Sequence, residues 1–283
     1  MISIIICSRD EQEFKNVSVN IGDTIGVEHE IVRIDNSKNT YSISKAYNYG
    51  ASISKYDLLC FVHEDVIFKT SEWGKILAVI LADTKIGLVG VVGGIIKTKS
   101  TGPTWWSPVD DTARMNLIQC SDEDQQLLYK NPNKELLSEV VAIDGVFMAC
   151  TKETWKEVKF DEKNIQGFHF YDLDFSLTVG IKKKVVVSYE ILLEHFSKGK
   201  NDIHWALQAD IVHSKWRASL PKSIGKIKPS ILSKIESGTQ DFYLNNLYEN
   251  KASIFLIFKY LIKRIQTNPF DIWGNLFFLR KLF

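Results

Sequence analysis

The run Leu58-Leu59-Cys60-Phe61-Val62 ends abruptly in His63-Glu64-Asp65, and this junction constrains the fold more than any other stretch of the chain. Five consecutive apolar residues suit a strand covered on both faces, as in a parallel sheet between helices. Ligand sites of open α/β sheets collect at the carboxyl ends of such strands. The sequence turns there to an imidazole and two carboxylates, and hard oxygen ligands at this place suit Mg²⁺ or Mn²⁺ holding phosphates. A polar turn between two strands is the alternative, because apolar sequence resumes at Val66-Ile67-Phe68.

Up to about residue 95 strand and helix patterns alternate. Ile2 to Cys7, Glu30 to Ile34, Leu58 to Val62 and Ile86 to Val92 read as strands. Ser42 to Ser54 and a segment capped by Ser71 and running to Asp83 read as helices, the latter with Trp73, Ile76, Leu77 and Ile80 at core spacing. Such alternation predicts right-handed crossovers and a mainly parallel sheet. From Gly93 to Asn133 glycine, proline and tryptophan clusters predict a long irregular connection, of the kind that forms lids and binding loops. Two further helices (Thr151 to Val158, Tyr171 to Lys183) and two short strands (Val185 to Ser188, Ile191 to Glu194) follow. Beyond Asn201 the chain reads as helical, with Ile203, Leu207, Ile211 and Trp216 as one apolar stripe. Residues 1–200 are therefore expected to form one α/β domain and 201–283 a helical extension.

With 283 residues there is room for one large domain plus an appendage. A formal net charge of +1 gives no electrostatic case for nucleic acid. Cys7, Cys60, Cys120 and Cys150 lack CxxC spacing, and Cys7, Cys60 and Cys150, in or beside apolar strand-like runs, suit reduced core thiols of a cytoplasmic protein. Met1-Ile2-Ser3-Ile4 lacks the basic region of a signal peptide, and no apolar run is long enough to span a bilayer.

Four clusters fall at strand ends or turns. Ser8-Arg9 follows the first strand, where a hydroxyl and a cation can face a nucleotide or simply enter a helix capped by Asp10. Asp35 ends the second strand and suits a base or ribose contact, or a cap. In His63-Glu64-Asp65, alternate residues of an extended segment share a face, so His63 and Asp65 point together while Glu64 points away. Asp65 is the preferred metal ligand. The fourth, Gly167 to Phe175, holds Asp172 and Asp174 two apart near a helix start. Either can cap helix amides; Asp172 suits a general base on an acceptor hydroxyl. Further on, His195 follows a short apolar strand, where it is a structural histidine or completes a metal shell with Asp65.

In this order, over about Ile2 to Gly199, the clusters resemble the nucleotide-diphospho-sugar glycosyltransferases of the GT-A fold, especially the inverting family-two type. Ser8-Arg9 resembles that family's polar motif after strand one, Asp35 its base-contacting acid, and Ser44 to Ala51, which includes Asn48, its following helix. His63-Glu64-Asp65 stands where the family has Asp-x-Asp, and only Asp65 matches directly. Asp144-Gly145 resembles the turn near donor sugar and acceptor. Tyr171-Asp172-Leu173-Asp174 resembles the acidic stretch whose second member is the base, with Tyr171 replacing a glutamate; His195 matches a histidine after the final strand. The resemblance implies an α/β GT-A fold and metal-assisted, inverting transfer of a sugar from a nucleotide-sugar donor, UDP-linked by preference, to a glycan or lipid-linked acceptor. It further implies donor contacts from Ser8, Arg9, Asp35, Asn48, Glu64 and Asp65. The metal, Mn²⁺ or Mg²⁺, would be held by Asp65, His195 and His63. Trp105 and Trp106 can stack on a sugar beside Asp144 and Gly145, or pack as core. Two rivals stand beside this reading. A sugar-1-phosphate nucleotidyltransferase is disfavoured by the lack of glycine in Cys7 to Phe14. A non-catalytic nucleotide- or glycan-binding module remains open, since His63 and Tyr171 replace acids.

Residues 251–283 carry six basic groups against one acidic, interleaved with Ile254 to Phe258, Leu261-Ile262 and Leu276 to Leu279. That pattern suits a helix lying on a membrane surface at the inner face of the membrane. It equally suits a helical cap on the catalytic domain or on a partner in a homodimer. Asn268-Pro269 is expected to divide it into two helices.

Overall fold

A computed structural model describes residues 1–121, 124–197, 199 and 201–281. The first part alternates as expected: β1 (Ile2–Ser8), α1 (Glu11–Thr24), β2 (His29–Asp35), α2 (Ile43–Ile53), β3 (Leu58–Val62), β4 (Val66–Phe68), α3 (Trp73–Leu81) and β5 (Ile86–Gly90). Then come β6 (Val92–Gly94), β7 (Ile96–Lys97), β8 (Ala113–Cys120), β9 (Gln125–Lys130), β10 (Leu137–Val140), β11 (Ala142–Ile143) and β12 (Phe147–Thr151). The chain continues through α4 (Lys152–Val158), α5 (Tyr171–Val179), β13 (Lys184–Ser188), β14 (Leu193–His195) and α6 (Ile203–Trp216). It closes with β15 (Lys222–Ser223), α7 (Pro229–Glu249), α8 (Ile254–Thr267) and α9 (Ile272–Arg280).

A seven-stranded sheet in the order β10-β13-β5-β12-β3-β1-β2 forms the centre. The pairs β1–β2, β1–β3 and β5–β13 are parallel. The expectation of a mainly parallel sheet needs correcting, because β12 lies antiparallel between β3 and β5, and β10 is antiparallel to β13. No crossover helix precedes β12; the chain arrives from a second sheet, so the handedness rule of strand-helix-strand units does not fix its direction.

Residue alternation divides the core between the two faces of the central sheet. Ile5, Leu59, Phe61, Met148 and Cys150 pack on one side with α2, α4, α5 and α6. Ile4, Ile6, Cys60, Val62, Phe147 and Ala149 pack on the other with Trp73 and Leu77 of α3 and with the second sheet. All four cysteines are unpaired thiols.

The second sheet, β11-β6-β8-β14-β4 with β9 on β8, takes three of its strands, β6, β8 and β9, largely from the stretch expected to be irregular. β8 and β9 form a six-pair hairpin there. The hairpin escapes a sequence reading because β9 is almost wholly exposed and carries no core-facing alternation. Among the described residues of that stretch, the longest run without strand is about residues 98–112.

Three local expectations change. Ser71 does not cap α3; the cap position is Glu72, in the left-handed region at φ 59°, without a side-chain bond. The helix start is fixed instead by backbone, Gly74 N–H donating to the Ile25 carbonyl over 3.0 Å. The second helix after the long connection stops at Val179, short of Lys183, where Gly180 ends it. On α6 the stripe Leu207/Ile211 is 46% exposed at both positions. The buried face is Trp205, Ala209, Val212 and Trp216, which insert among the sheet-covering helices. α6 thus packs with the helices that cover the central sheet. The break at Asn268-Pro269 is present, with Asn268 ending α8 and Asp271 capping α9.

Candidate active site

The carboxyl end of β3 and the start of β4 lie where the two sheets meet. Extended geometry separates the three polar residues as expected. Glu64 turns back to β1, its carboxylate accepting the backbone N–H of Arg9 at 2.9 Å and of Asp10 at 3.1 Å. It closes the turn into α1. His63 and Asp65 face the other way, with His63 Nδ1 3.8 Å from Asp65 Oδ1.

His195 joins them because β14 pairs with β4, His195 opposite Val66. Its Nε2 lies 3.6 Å from the same Asp65 oxygen. Donor atoms of His63, Asp65 and His195 all fall within 4.8 Å of one another.

Hydrogen bonding fixes which nitrogens carry protons. Tyr171 donates its hydroxyl to the Gly145 carbonyl at 3.2 Å, so its oxygen accepts from His63 Nε2–H at 2.8 Å. Nδ1 of His63 is left as a lone pair toward Asp65. The amide nitrogen of Gln119 donates to the carbonyls of His195 and Ser197, so its oxygen faces His195 Nδ1 as an acceptor at 3.3 Å. Nε2 of His195 is then a second lone pair, buried and without a partner. Burial and the nearby His63 hold His195 below the ordinary histidine pKa, which keeps it neutral. Two lone pairs and a carboxylate converging without a hydrogen between them fit a divalent cation, with both imidazoles oriented from behind. The chemistry of this donor set suits the group that the resemblance implies.

Asp172 stands one residue beyond Tyr171. Burial is the main cause of its carboxyl being raised to about 7, and the negative charge of Asp144 adds to it. It accepts from Gly145 N–H (3.2 Å), Leu173 N–H (2.8 Å) and the Thr104 hydroxyl (3.3 Å). Asp144 accepts from Trp105 Nε1 at 2.7 Å and from Val146 N–H at 2.9 Å. Gly145 thus bridges the parts, its N–H on Asp172 and its carbonyl on Tyr171. A Cβ at this position would sit 2.1 Å from the Tyr171 hydroxyl, so only glycine fits. A cavity of about 420 Å³ opens beside this group, walled by Trp105, Asp144, His195, Gln119, Met115 and Leu117.

The remaining expected residues divide. Arg9 and Asp35 sit at the adjacent ends of β1 and β2, where Ser8 pairs with Asp35, and both are exposed. The Arg9 guanidinium lies 3.8 Å above the Phe168 ring, while Asp35 accepts Ser37 N–H at 3.0 Å. Ser8 is fully buried with its hydroxyl on the Asp10 carbonyl, so it is corrected to a turn residue. Asn48 is also corrected: its amide takes Trp155 Nε1 and Phe160 N–H and donates to the Phe160 carbonyl, pinning α2 to α4. Trp106 packs on Phe242 of α7, ring centroids 5.1 Å apart, apart from Trp105's role at the cavity. Asp174 is structural, held by Lys215 at 2.7 Å and Trp216 Nε1 at 2.7 Å from α6.

Sequence reading missed Thr104 and Lys97. Lys97 is 2% exposed and donates to the carbonyls of Gly102 and Pro103, directly before Thr104 and Trp105. Burial lowers its pKa to about 7.

Among solved structures, S. aureus TarS residues 1–349 is similar at 11% identity and TM-score 0.56, over 95% of this chain and 81% of that one. GalNAc-T7, solved with UDP, GalNAc and Mn²⁺, is similar at 11% identity and TM-score 0.51 over 71% of this chain. The present chain spans 44% of the length of GalNAc-T7 that was solved. These likenesses carry the fold, which is GT-A. No curated protein sequence matches the chain. The model of the glycosyltransferase-like family matches residues 3–212, about three quarters of the chain. The chain belongs to the glycosyltransferase-like family.

Proposed function

We propose that this glycosyltransferase moves a sugar from a nucleoside-diphosphate donor, UDP-linked by preference, to a hydroxyl of a glycan or lipid-linked acceptor, with inversion. The observation that carries the reading is the convergence of the His63, Asp65 and His195 lone pairs next to a buried carboxylate, Asp172, raised to about 7.

His63, Asp65 and His195 would hold the cation. Mixed imidazole and carboxylate ligation suits Mn²⁺ better than Mg²⁺, which prefers oxygen. When bound, the cation supplies charge stabilisation for the departing diphosphate as a Lewis acid. Arg9 and Asp35, at the ends of β1 and β2, would face the nucleotide. Trp105, held by Asp144, presents a wall of the cavity on which a sugar can stack. Asp172 takes the proton of the acceptor hydroxyl as that oxygen attacks the anomeric carbon from the face opposite the leaving group. A base with pKa near 7 is half-ionised at neutral pH and is basic enough for this proton, a contribution of ~10²–10⁴-fold in rate. Thr104 and Gly145 orient the carboxylate without neutralising it.

The test is turnover of a panel of nucleotide sugars with Mn²⁺, following release of nucleoside diphosphate with and without hydroxyl acceptors. Release dependent on one donor, on acceptor and on Asp172 supports transfer. Tight donor binding with no release across the panel would instead favour a binding module.

A further inference from the structure

The two last helices leave a large apolar surface uncovered. On α8, Ile257, Tyr260, Leu261 and Arg264 are buried against the protein. Ile254, Phe258 and Ile262, spaced four apart on another stripe, are 48%, 43% and 51% exposed, and Phe255 beside them is 85% exposed. On α9, Asn275 and Phe278 face inward. Ile272, Trp273 and Phe277 face outward at 64%, 80% and 52%, and Phe270 in the turn between the helices is 95% exposed. Scattered exposed apolar residues are ordinary on a surface; a contiguous set rich in phenylalanine and tryptophan marks a contact face.

Charge says what covers it. Asp271 is the single acid from Lys251 to Lys281, and it is occupied by Arg264 and by the Gly274 N–H. Arg264 is itself buried between Asp241 and Asp271, so it belongs to the internal frame and not to the surface charge. Lys259 pairs with Asp210 at 2.6 Å. Lys251, Lys263, Arg280 and Lys281 have no ion pair among the described residues. By helical spacing Lys259 and Lys263 border the apolar stripe of α8, and Arg280 lies on the outward side of α9. Apolar aromatic faces with uncompensated cations at their edges match a bilayer surface, where the rings enter the acyl boundary and the cations meet anionic headgroups. No described helix is long and apolar enough to cross a membrane.

We propose that α8 and α9 form a peripheral docking surface for anionic lipid bilayers, with Phe255, Phe258, Phe270, Trp273 and Phe277 as the inserting residues and Lys251, Arg280 and Lys281 as headgroup contacts. The proposal stands independently of the transfer chemistry.

Co-sedimentation of the full chain with vesicles tests it, comparing phosphatidylcholine alone with equal parts phosphatidylcholine and phosphatidylglycerol. Preferential binding to the anionic vesicles, weakening with salt, is expected. The paired substitution Phe255→Ser and Trp273→Ser, at sites exposed enough to leave folding intact, should lower the partition coefficient about tenfold or more. Lys251→Glu with Lys281→Glu should remove the preference for phosphatidylglycerol, at roughly several-fold per charge. Light scattering on the same proteins reads the competing occupant. No vesicle binding, or binding unchanged by both sets of substitutions, would overturn the proposal. So would a dimer abolished by Phe255→Ser and Trp273→Ser without any vesicle binding, which would assign the surface to a second copy of the chain. Vesicle binding is read without turnover, so its failure is separate from failure of the transfer reading.

Discussion

His63 Nε2 and the Tyr171 hydroxyl are joined across 2.8 Å, and this bond ties His63, beside Asp65, to the residue that precedes Asp172. Tyr171 stands where the resembling family has an acid. Its hydroxyl fixes the His63 tautomer instead, leaving Nδ1 free toward Asp65. The departure at position 171 and the departure at position 63 are therefore one device.

Tyr171→Phe removes that partner and frees the His63 ring to adopt the other tautomer. Mn²⁺ affinity should fall by about 10–100-fold, the usual cost of losing an outer partner of a metal ligand. Titration of Mn²⁺ by calorimetry checks this without reference to turnover. Unchanged affinity would show that the bond does not orient His63 for a cation.

Asp172 sets the pH dependence. The carboxylate must be ionised to accept a proton, so kcat/KM should rise with pH through an acid limb near 7. Asp144→Asn removes the charge that adds to the burial effect and should move this limb to lower pH. Asp172→Asn should reduce kcat by about 10²–10⁴-fold. Its effect on stability has a definite sign. A carboxyl raised in the folded state favours the protein while protonated, and that advantage is lost as pH climbs from the ordinary carboxylate range through about 7. Asp172→Asn should consequently raise Tm at pH 8 and leave it little changed near pH 4.

Lys97 acts through the loop that it holds. Lys97→Met removes the donor to the Gly102 and Pro103 carbonyls and loosens Thr104 and Trp105 from their carboxylates. Misplacement of about 1 Å can cost roughly 10²-fold in rate. The expected result is a loss of that order in kcat, with binding of Mn²⁺ and nucleotide retained because β3, β4 and β14, and not this loop, position His63, Asp65 and His195. Equal loss of nucleotide binding would point to a general unfolding of the site.

Gly145→Ala would place a methyl group against the Tyr171 hydroxyl. The bridge between Asp172 and Tyr171 must then open, and the protein should lose about 1–3 kcal/mol of stability from overpacking together with most activity. Chemical denaturation with parallel rate measurement checks both. Wild-type stability and rate would show that the turn relaxes without affecting the bridge.

The strand-end reading carried far because it rests on a period of two. Extended backbone alone separates His63 and Asp65 from Glu64, and it divides Phe61 from Cys60 between the two core layers. Asp172 was legible for a similar local reason, standing at a helix start beside a resembling motif. The contacts that complete the site were not legible. Thr104 reaches Asp172 across 68 residues, and Gln119 reaches His195 across 76, with no periodic signal to announce either. Ser8 and Glu64, polar side chains at strand ends, serve the turn into α1, and Asn48 on α2 is engaged by Trp155 and Phe160, contacts that no local pattern announces. On α6, apolar residues occur on two faces, and only the packing of Trp205 and Trp216 shows which is covered.

The central claim is that His63, Asp65 and His195 together hold the cation that a nucleotide donor requires. The most direct measurement is thermal stabilisation by UDP, GDP, CMP and TDP, each with and without Mn²⁺, in wild type and in Asp65→Ala. A nucleotide at about a hundred times its Kd should add roughly 2.7 kcal/mol to the folded state. Stabilisation by one diphosphate that needs Mn²⁺ and disappears in Asp65→Ala is the predicted result. Stabilisation that is indifferent to Mn²⁺, or that survives intact in Asp65→Ala, would contradict it.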